Sequence, residues 1–311
     1  MIFFERSGVW LKPVVFKGSG CALVTPMTQD DKINYDVLEK LIEFQINNGT
    51  SALIVCATTG ESSTLTDVEY ASLIRFAKDT AKGRIPIIAG SGTNSTTATI
   101  KKCKTAEKMG ADALLVVTPY YNRPTQDGLW AHFKAVSEAS SLPVILYDVP
   151  SRTGISLEAD TAAKLSELDN IVGLKAASTD LKVLSQIRFL CGDKLSIYSG
   201  NDELTAPIFS LGGIGAISVA ANICPKEFSR LCESGLDGDL KILSERQVAL
   251  TPLFNALSCS VNPVAIKELM CIAGIPVGGL RLPLCGLSEE MRNTLREYAK
   301  NSNYDLRGYF L

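Results

Sequence analysis

The chain has 311 residues, of which 46% are apolar and 21% charged, and its formal net charge is −2. That composition supplies a large core and excludes a disordered chain, and no cluster of Lys and Arg is present to neutralise nucleic-acid phosphates. The single histidine, His132, rules out His-rich metal sites and allows a Ser-His-Asp triad only with His132 as base; its helical period reads as a helix surface, and no metal is expected.

Nine cysteines, none in CxxC spacing, fit a reducing cytoplasm, where those inside apolar runs such as ALIVCA act as small hydrophobes. The opening MIFFERSGVWLKPVVFKG breaks its apolar runs with Glu5, Arg6 and Lys12, so no signal-peptide core forms. The uncharged stretch 204–225 contains Pro207 and the glycines 212, 213 and 215, which predict a helix, a turn and a strand rather than a membrane span.

In chain order, short β-rich runs alternate with segments of helical period. The runs are CALVTP (21–26), SALIVCATTGE (51–61), IPIIAGSG (85–92), DALLVVTPYY (112–121), PVILYDVP (143–150), NIVGLKAAS (170–178), KLSIYSGN (194–201) and IGAISVA (214–220). Between them, YDVLEKLIEFQINNG and TDVEYASLIRFAKDTAKG carry apolar residues three and four apart with a closing glycine. Eight such units predict an α/β fold, a (β/α)8 TIM barrel over residues 14–236. An open doubly wound sheet is the rival, but its Gly-rich first turn is missing: here that turn reads TPMTQDD. Residues 237–311 read as an additional C-terminal helical bundle, and residues 1–13 as an N-terminal extension.

In a parallel barrel the carboxyl ends of the strands share one face, and chemistry gathers there. The predicted strand ends bring Thr58-Thr59-Gly60-Glu61, Tyr120-Tyr121-Asn122, Tyr147 with Ser151-Arg152, Lys175, and Ser199-Gly200-Asn201 to that mouth. Lys175 stands at the end of the apolar run IVGLKAAS, an unusual place for an ammonium group unless it snorkels to water. A lysine amine attacks a ketone only when neutral, and an ordinary lysine is about 0.1% neutral near pH 7.4. An apolar wall that penalises the charged form suits it for imine chemistry. The iminium withdraws electrons from the adjacent carbon, which then attacks an aldehyde. Without a usable histidine, tyrosine and threonine hydroxyls are the proton relay, and the Thr58-Thr59-Gly60 turn suits a keto-acid carboxylate.

GSGCALVTP, ATTGES, TPYYNRP, YDVPSRTG, GLKAAS and YSGND occur in this order, with LRLPLC at 280–285. Together they resemble the dihydrodipicolinate synthase (4-hydroxy-tetrahydrodipicolinate synthase) family, within the pyruvate-dependent aldolase superfamily of N-acetylneuraminate lyase, from about Val15 onward. The resemblance implies a cytoplasmic homotetramer, a dimer of tight dimers, that condenses pyruvate with L-aspartate 4-semialdehyde without a cofactor. It implies that Lys175 forms the Schiff base and that Tyr147 relays protons with Thr58 and with Tyr121, which reaches a neighbouring subunit's site. It further implies that Thr59 holds the pyruvate carboxylate, that Arg152 receives the second substrate's carboxylate, and that carbonyls of Gly200 and Ile217 line the site.

The chain departs from the family pattern in places. Ala176 and Thr179 replace the Glu and Gly of KEASG, and Asp148 makes YDVP where YNVP is commoner. Ser62, Asn94 and Tyr120 match the effector site of lysine-inhibited relatives, whereas Asp67, Tyr70 and Ala98 replace its His and Glu residues, so feedback by lysine is expected to be weak or absent. Each residue also has a plainer reading: Thr58 and Thr59 as helix caps, Tyr120 and Tyr121 as interface aromatics, Arg152 as a loop residue, Glu61 as a turn fixer. Two further functional readings remain open at this point. One is another aldolase of the superfamily, acting on N-acetylneuraminate or a 2-keto-3-deoxy sugar acid. The other is a non-enzymatic small-molecule-binding barrel.

Overall fold

The computed structural model describes residues 12–302, together with the backbone of Glu5–Arg6 and Val9–Trp10, which pair as a short antiparallel ribbon. Most of the expected extension at 1–13 therefore lies outside the described residues. Eight parallel strands close into a barrel in sequence order: β1 Gly18–Ala22, β2 Ala52–Val55, β3 Ile87–Gly90, β4 Ala113–Val117, β5 Val144–Asp148, β6 Ile171–Ala176, β7 Ser196–Ser199 and β8 Gly215–Ser218. Closure comes from β8, which pairs with β1 from Gly215↔Gly18 to Ser218↔Cys21. This is the expected α/β barrel.

Helices α1 Tyr35–Asn47, α2 Asp67–Ala81, α3 Thr96–Met109, α4 Gln126–Ala139, α5 Pro150–Thr153, α6 Ala159–Leu165, α7 Leu181–Cys191, α8 Thr205–Ser210 and α9 Pro225–Leu236 follow the strands. Helix α2 starts at a capping box, Thr66 with Glu69, so the plainer reading of Thr58 and Thr59 as its caps does not hold: the cap lies seven residues beyond Thr59. The uncharged stretch 204–225 folds as α8, a turn, β8 and a 3-10 turn. No helix among the described residues is long and apolar enough to cross a membrane.

Two layers of core hold the barrel. Between strands and helices lies a large apolar shell, and inside the barrel Phe16, Ile54, Ile88, Leu115, Ile145 and Tyr198 form a second cluster. Phe16 closes the amino end, its ring stacked 4.5 Å from that of Tyr198, whose hydroxyl donates to the Phe16 carbonyl at 2.9 Å. Strand β1 begins at Gly18, earlier than the expected run at 21–26, because glycines carry little strand signal. The barrel needs them there: a Cβ on Gly20 would lie 2.8 Å from the Phe16 ring. Lys12 donates to the carbonyls of Ser166, Leu168 (2.6 Å) and Ile171 (2.8 Å), tying the start of the described chain to the amino end of β6.

His132 differs from expectation. It is 5% exposed on α4, its Nδ1 is 2.9 Å from Thr96 Oγ1, and burial lowers its pKa to about 4. Neighbouring helix α3 covers the face of α4 that the period alone read as surface.

Helices α10 Leu240–Leu257, α11 Val264–Ile272 and α12 Glu289–Asn301 follow the eighth unit. Helix α10 packs on α8 and α9 and carries Phe254 and Leu257 to the open mouth of the barrel.

Asp148 alternates with Tyr147 on β5, and its buried Oδ1 accepts the Leu157 N–H at 3.0 Å. Burial pushes its carboxyl from the ordinary 3.8 up to about 6, against the pull of that one donor. The folded chain therefore holds this proton more tightly than the unfolded chain, and stability falls as pH rises from about 4 through about 6. Asp148→Asn keeps an acceptor for Leu157 without the charge. It should be more stable than the parent by on the order of 1–3 kcal/mol at pH 8, with the gain gone near pH 4. Thermal melts across that range check this, and a difference independent of pH would contradict it.

Candidate active site

Residues at the carboxyl ends of the strands line a cavity of about 280 Å³. Lys175 enters it from within β6, not from beyond the strand, and is 5% exposed. Its register sets it directly between Tyr147 on β5 and Tyr198 on β7. The two phenols differ in use. Tyr198 is spent on the Phe16 carbonyl below, while Tyr147 lines the cavity with the Lys175 Nζ 4.2 Å from its ring centroid. That contact is a cation–π geometry, which orients the amine on the ring face.

Gly200 gives the lysine stem its room. A Cβ there would lie 2.9 Å from Lys175 Cγ and 3.0 Å from Cε, so the chain packs where a side chain would be. The turn after β2 supplies Thr58 and Thr59. Glu61 N–H donates to the Thr58 carbonyl at 3.1 Å, and Thr25 Oγ1 donates to the Gly60 carbonyl at 2.8 Å, which anchors this turn to the loop after β1. Arg152 sits on the one-turn helix α5 that follows β5. It is exposed at the rim, and its Nη2 donates to the Asn262 carbonyl at 2.9 Å.

Thr58, Thr59, Tyr147, Arg152, Lys175 and Gly200 thus share one cavity. Ile217 is not among its lining residues; the Ile217 side chain lies in the barrel interior, and Val219, two residues on, reaches the wall instead. Tyr121 does not meet Lys175 within one chain. It is 89% exposed at φ +73° and lines a second cavity, of about 840 Å³, which also has Thr58 and Arg152 in its wall. Ser62 and Tyr120 line this second cavity as well. Asn94 does not; its carbonyl accepts from Asn122 Nδ2 at 2.8 Å.

Among the lining residues of the smaller cavity that the sequence reading did not assign, Asn262 and Asp202 make the contacts that matter most. Asn262, just before α11, donates from Nδ2 to Thr59 Oγ1 at 3.0 Å while its carbonyl takes the Arg152 guanidinium, so one residue joins both expected carboxylate binders. Asp202 accepts the N–H groups of Val219 (3.1 Å) and Ala220 (2.8 Å). Loss of water raises its pKa, opposed by those donors and by the charge of Lys175. Asn262 lies 203 residues from Thr59 and carries no local pattern. Asp202 followed a glycine and an asparagine at a strand end, the one available signal.

Comparison with known proteins decides the lineage. Residues 15–302 match the model of the Dihydrodipicolinate synthetase family. The chain belongs to that family. It is 46% identical over 292 residues to the 4-hydroxy-tetrahydrodipicolinate synthase of Clostridium novyi (strain NT), covering 93% of this chain and 98% of the relative. Among solved structures, the dihydrodipicolinate synthase from Aquifex aeolicus matches at 43% identity with TM-score 0.89, covering 92% of this chain and 97% of the other. The enzyme from Thermotoga maritima matches at 40% identity with TM-score 0.90, covering 92% and 98%. Membership of the dihydrodipicolinate synthetase family agrees with the motif resemblance from Val15 onward.

The packing of Gly200 on Lys175 is open to test. Gly200→Ala should push the lysine stem off its position and reduce kcat/KM by on the order of 100-fold, with far-UV circular dichroism unchanged. Unaltered kcat/KM in a folded variant would contradict the assigned contact.

Proposed function

We propose that this lyase condenses pyruvate with L-aspartate 4-semialdehyde through an imine on Lys175, giving 4-hydroxy-tetrahydrodipicolinate for diaminopimelate and lysine synthesis. The observation that carries the reading is the buried Lys175 amine on the Tyr147 ring, in a cavity whose rim bears Arg152. Family membership supports the same reaction.

The chemistry follows from the residues present. Pyruvate enters with its carboxylate at Thr59, which places its keto carbon at the Lys175 Nζ. Attack forms the C–N bond, and loss of the former keto oxygen as water leaves the iminium. Tyr147, with Thr58 beside it, carries the protons this requires. The iminium then loses a methyl proton to give the enamine, whose carbon attacks the aldehyde of the second substrate, and the aldehyde oxygen becomes the 4-hydroxyl. Arg152 holds the second carboxylate, in keeping with its planar fork. The amino group of that substrate finally displaces the Lys175 nitrogen and closes the ring.

Tyr121 completes the relay in a neighbouring subunit. Its 89% exposure fits an aromatic that awaits a partner, and Phe189, 86% exposed on α7, offers a second apolar contact. The assembly is a homotetramer, acting in the cytoplasm. Ser62, Asn94 and Tyr120 retain part of an effector site. Ala98 supplies no carboxylate for a cationic effector, and the Asp67 carboxylate is taken by Lys101 at 2.6 Å, so lysine feedback is weak or absent.

Steady-state assays separate the readings. The chain should turn over pyruvate with aspartate semialdehyde and leave N-acetylneuraminate uncleaved. Arg152→Ala should cost about 100-fold in kcat/KM for the semialdehyde, the loss of a charge-assisted pair. Preference for the sugar acid would overturn the assignment.

A further inference from the structure

Behind the carboxylate turn lies an ion pair that the proposed chemistry does not use. Lys267 on α11 and Glu61 at the end of the Thr58–Glu61 turn approach to 2.7 Å, with side chains 2% and 1% exposed. Lys267 Nζ also donates to the carbonyls of Thr25 (3.1 Å) and Gly279. Glu61 Oε2 accepts the Arg281 N–H at 3.0 Å. All three ammonium protons and both carboxylate oxygens are thereby engaged.

A buried pair of this kind is a poor source of net stability, because desolvating two charges costs about as much as their attraction returns. Its geometry is the more informative property. Glu61 holds φ +55°, a left-handed conformation that a non-glycine residue adopts at a cost. Its N–H closes the turn on the Thr58 carbonyl. The Thr25 carbonyl gripped by Lys267 belongs to the same residue whose hydroxyl holds Gly60. Five residues before Lys267, Asn262 binds Thr59 Oγ1. Helix α11 and the loop before it therefore hold the turn from behind through Glu61 and from the cavity side through Thr59.

We infer that Glu61 and Lys267 are positioning residues that fix Thr58 and Thr59 against α11, so that the C-terminal helices set the geometry of the keto-acid carboxylate site. This rests on the proposed pyruvate chemistry at Lys175. Neither residue touches the reacting atoms, and neither lines the cavity that holds Lys175. Their effect is on where the turn hydroxyls and N–H groups stand when pyruvate arrives.

The test uses the full chain and the double variant Glu61→Gln/Lys267→Met, which keeps side-chain volume and removes both buried charges. The readouts are thermal stability, KM for each substrate, and borohydride trapping of the pyruvate imine. The double variant should fold with a melting point within a few degrees of the parent, because neutral replacement of a buried pair is often tolerated. Its KM for pyruvate should rise about tenfold or more, with a smaller change for the semialdehyde. Glu61→Asp keeps both charges but is one methylene shorter; it should show the same split, and it carries the test if the double variant does not fold. Parental KM for pyruvate in a folded variant would overturn the inference while leaving the function intact. Failure of the unaltered chain to form the imine would remove the functional reading and this inference with it.

Discussion

The site depends on one constraint: an amine kept inside a closed parallel barrel, with its stem on a glycine and its head on an aromatic face. Closure leaves no free strand edge, so every inward side chain is held by neighbours on both sides. Lys175 is fixed by register between Tyr147 and Tyr198, and Gly200 yields the space its methylenes occupy. The amino end is filled by Phe16 and Tyr198, so the amine can meet a substrate only from the carboxyl face. A rigid strand placement of this sort supplies the orientation that imine formation requires.

The barrel alone does not complete the mouth. Its wall includes Phe254 and Leu257 from α10 and Asn262 from the loop before α11, and Arg281 ties the last loop to α2 through Glu69 and to the Thr64 carbonyl. The C-terminal helices are therefore part of the site's frame. Asn262 matters most in this respect, since it contacts both Thr59 and Arg152 and so links the two ends of the proposed two-substrate complex.

Legibility in the sequence followed the range of the interaction. Strands buried on both faces announce themselves as apolar runs, and a lysine inside one is conspicuous, so the barrel and Lys175 were readable. The order of strand ends then collected Thr58, Thr59, Tyr147, Arg152 and Gly200 at one mouth. Glycine-rich β1 was placed late because close approach, not side-chain burial, defines it. His132 was misread because the helical period identifies a face but not what packs on it. Asn262 and Lys267 act through contacts with residues more than 200 positions away, and no local spacing encodes them. Tyr121 was singled out by its motif alone; its exposure is what the single chain adds.

The most direct measurement is reductive trapping. Borohydride treatment in the presence of pyruvate should leave a secondary amine on Lys175, identified in the peptide containing IVGLKAAS, and the modification should block turnover. An adduct on another lysine, or none under conditions of full activity, would contradict the account.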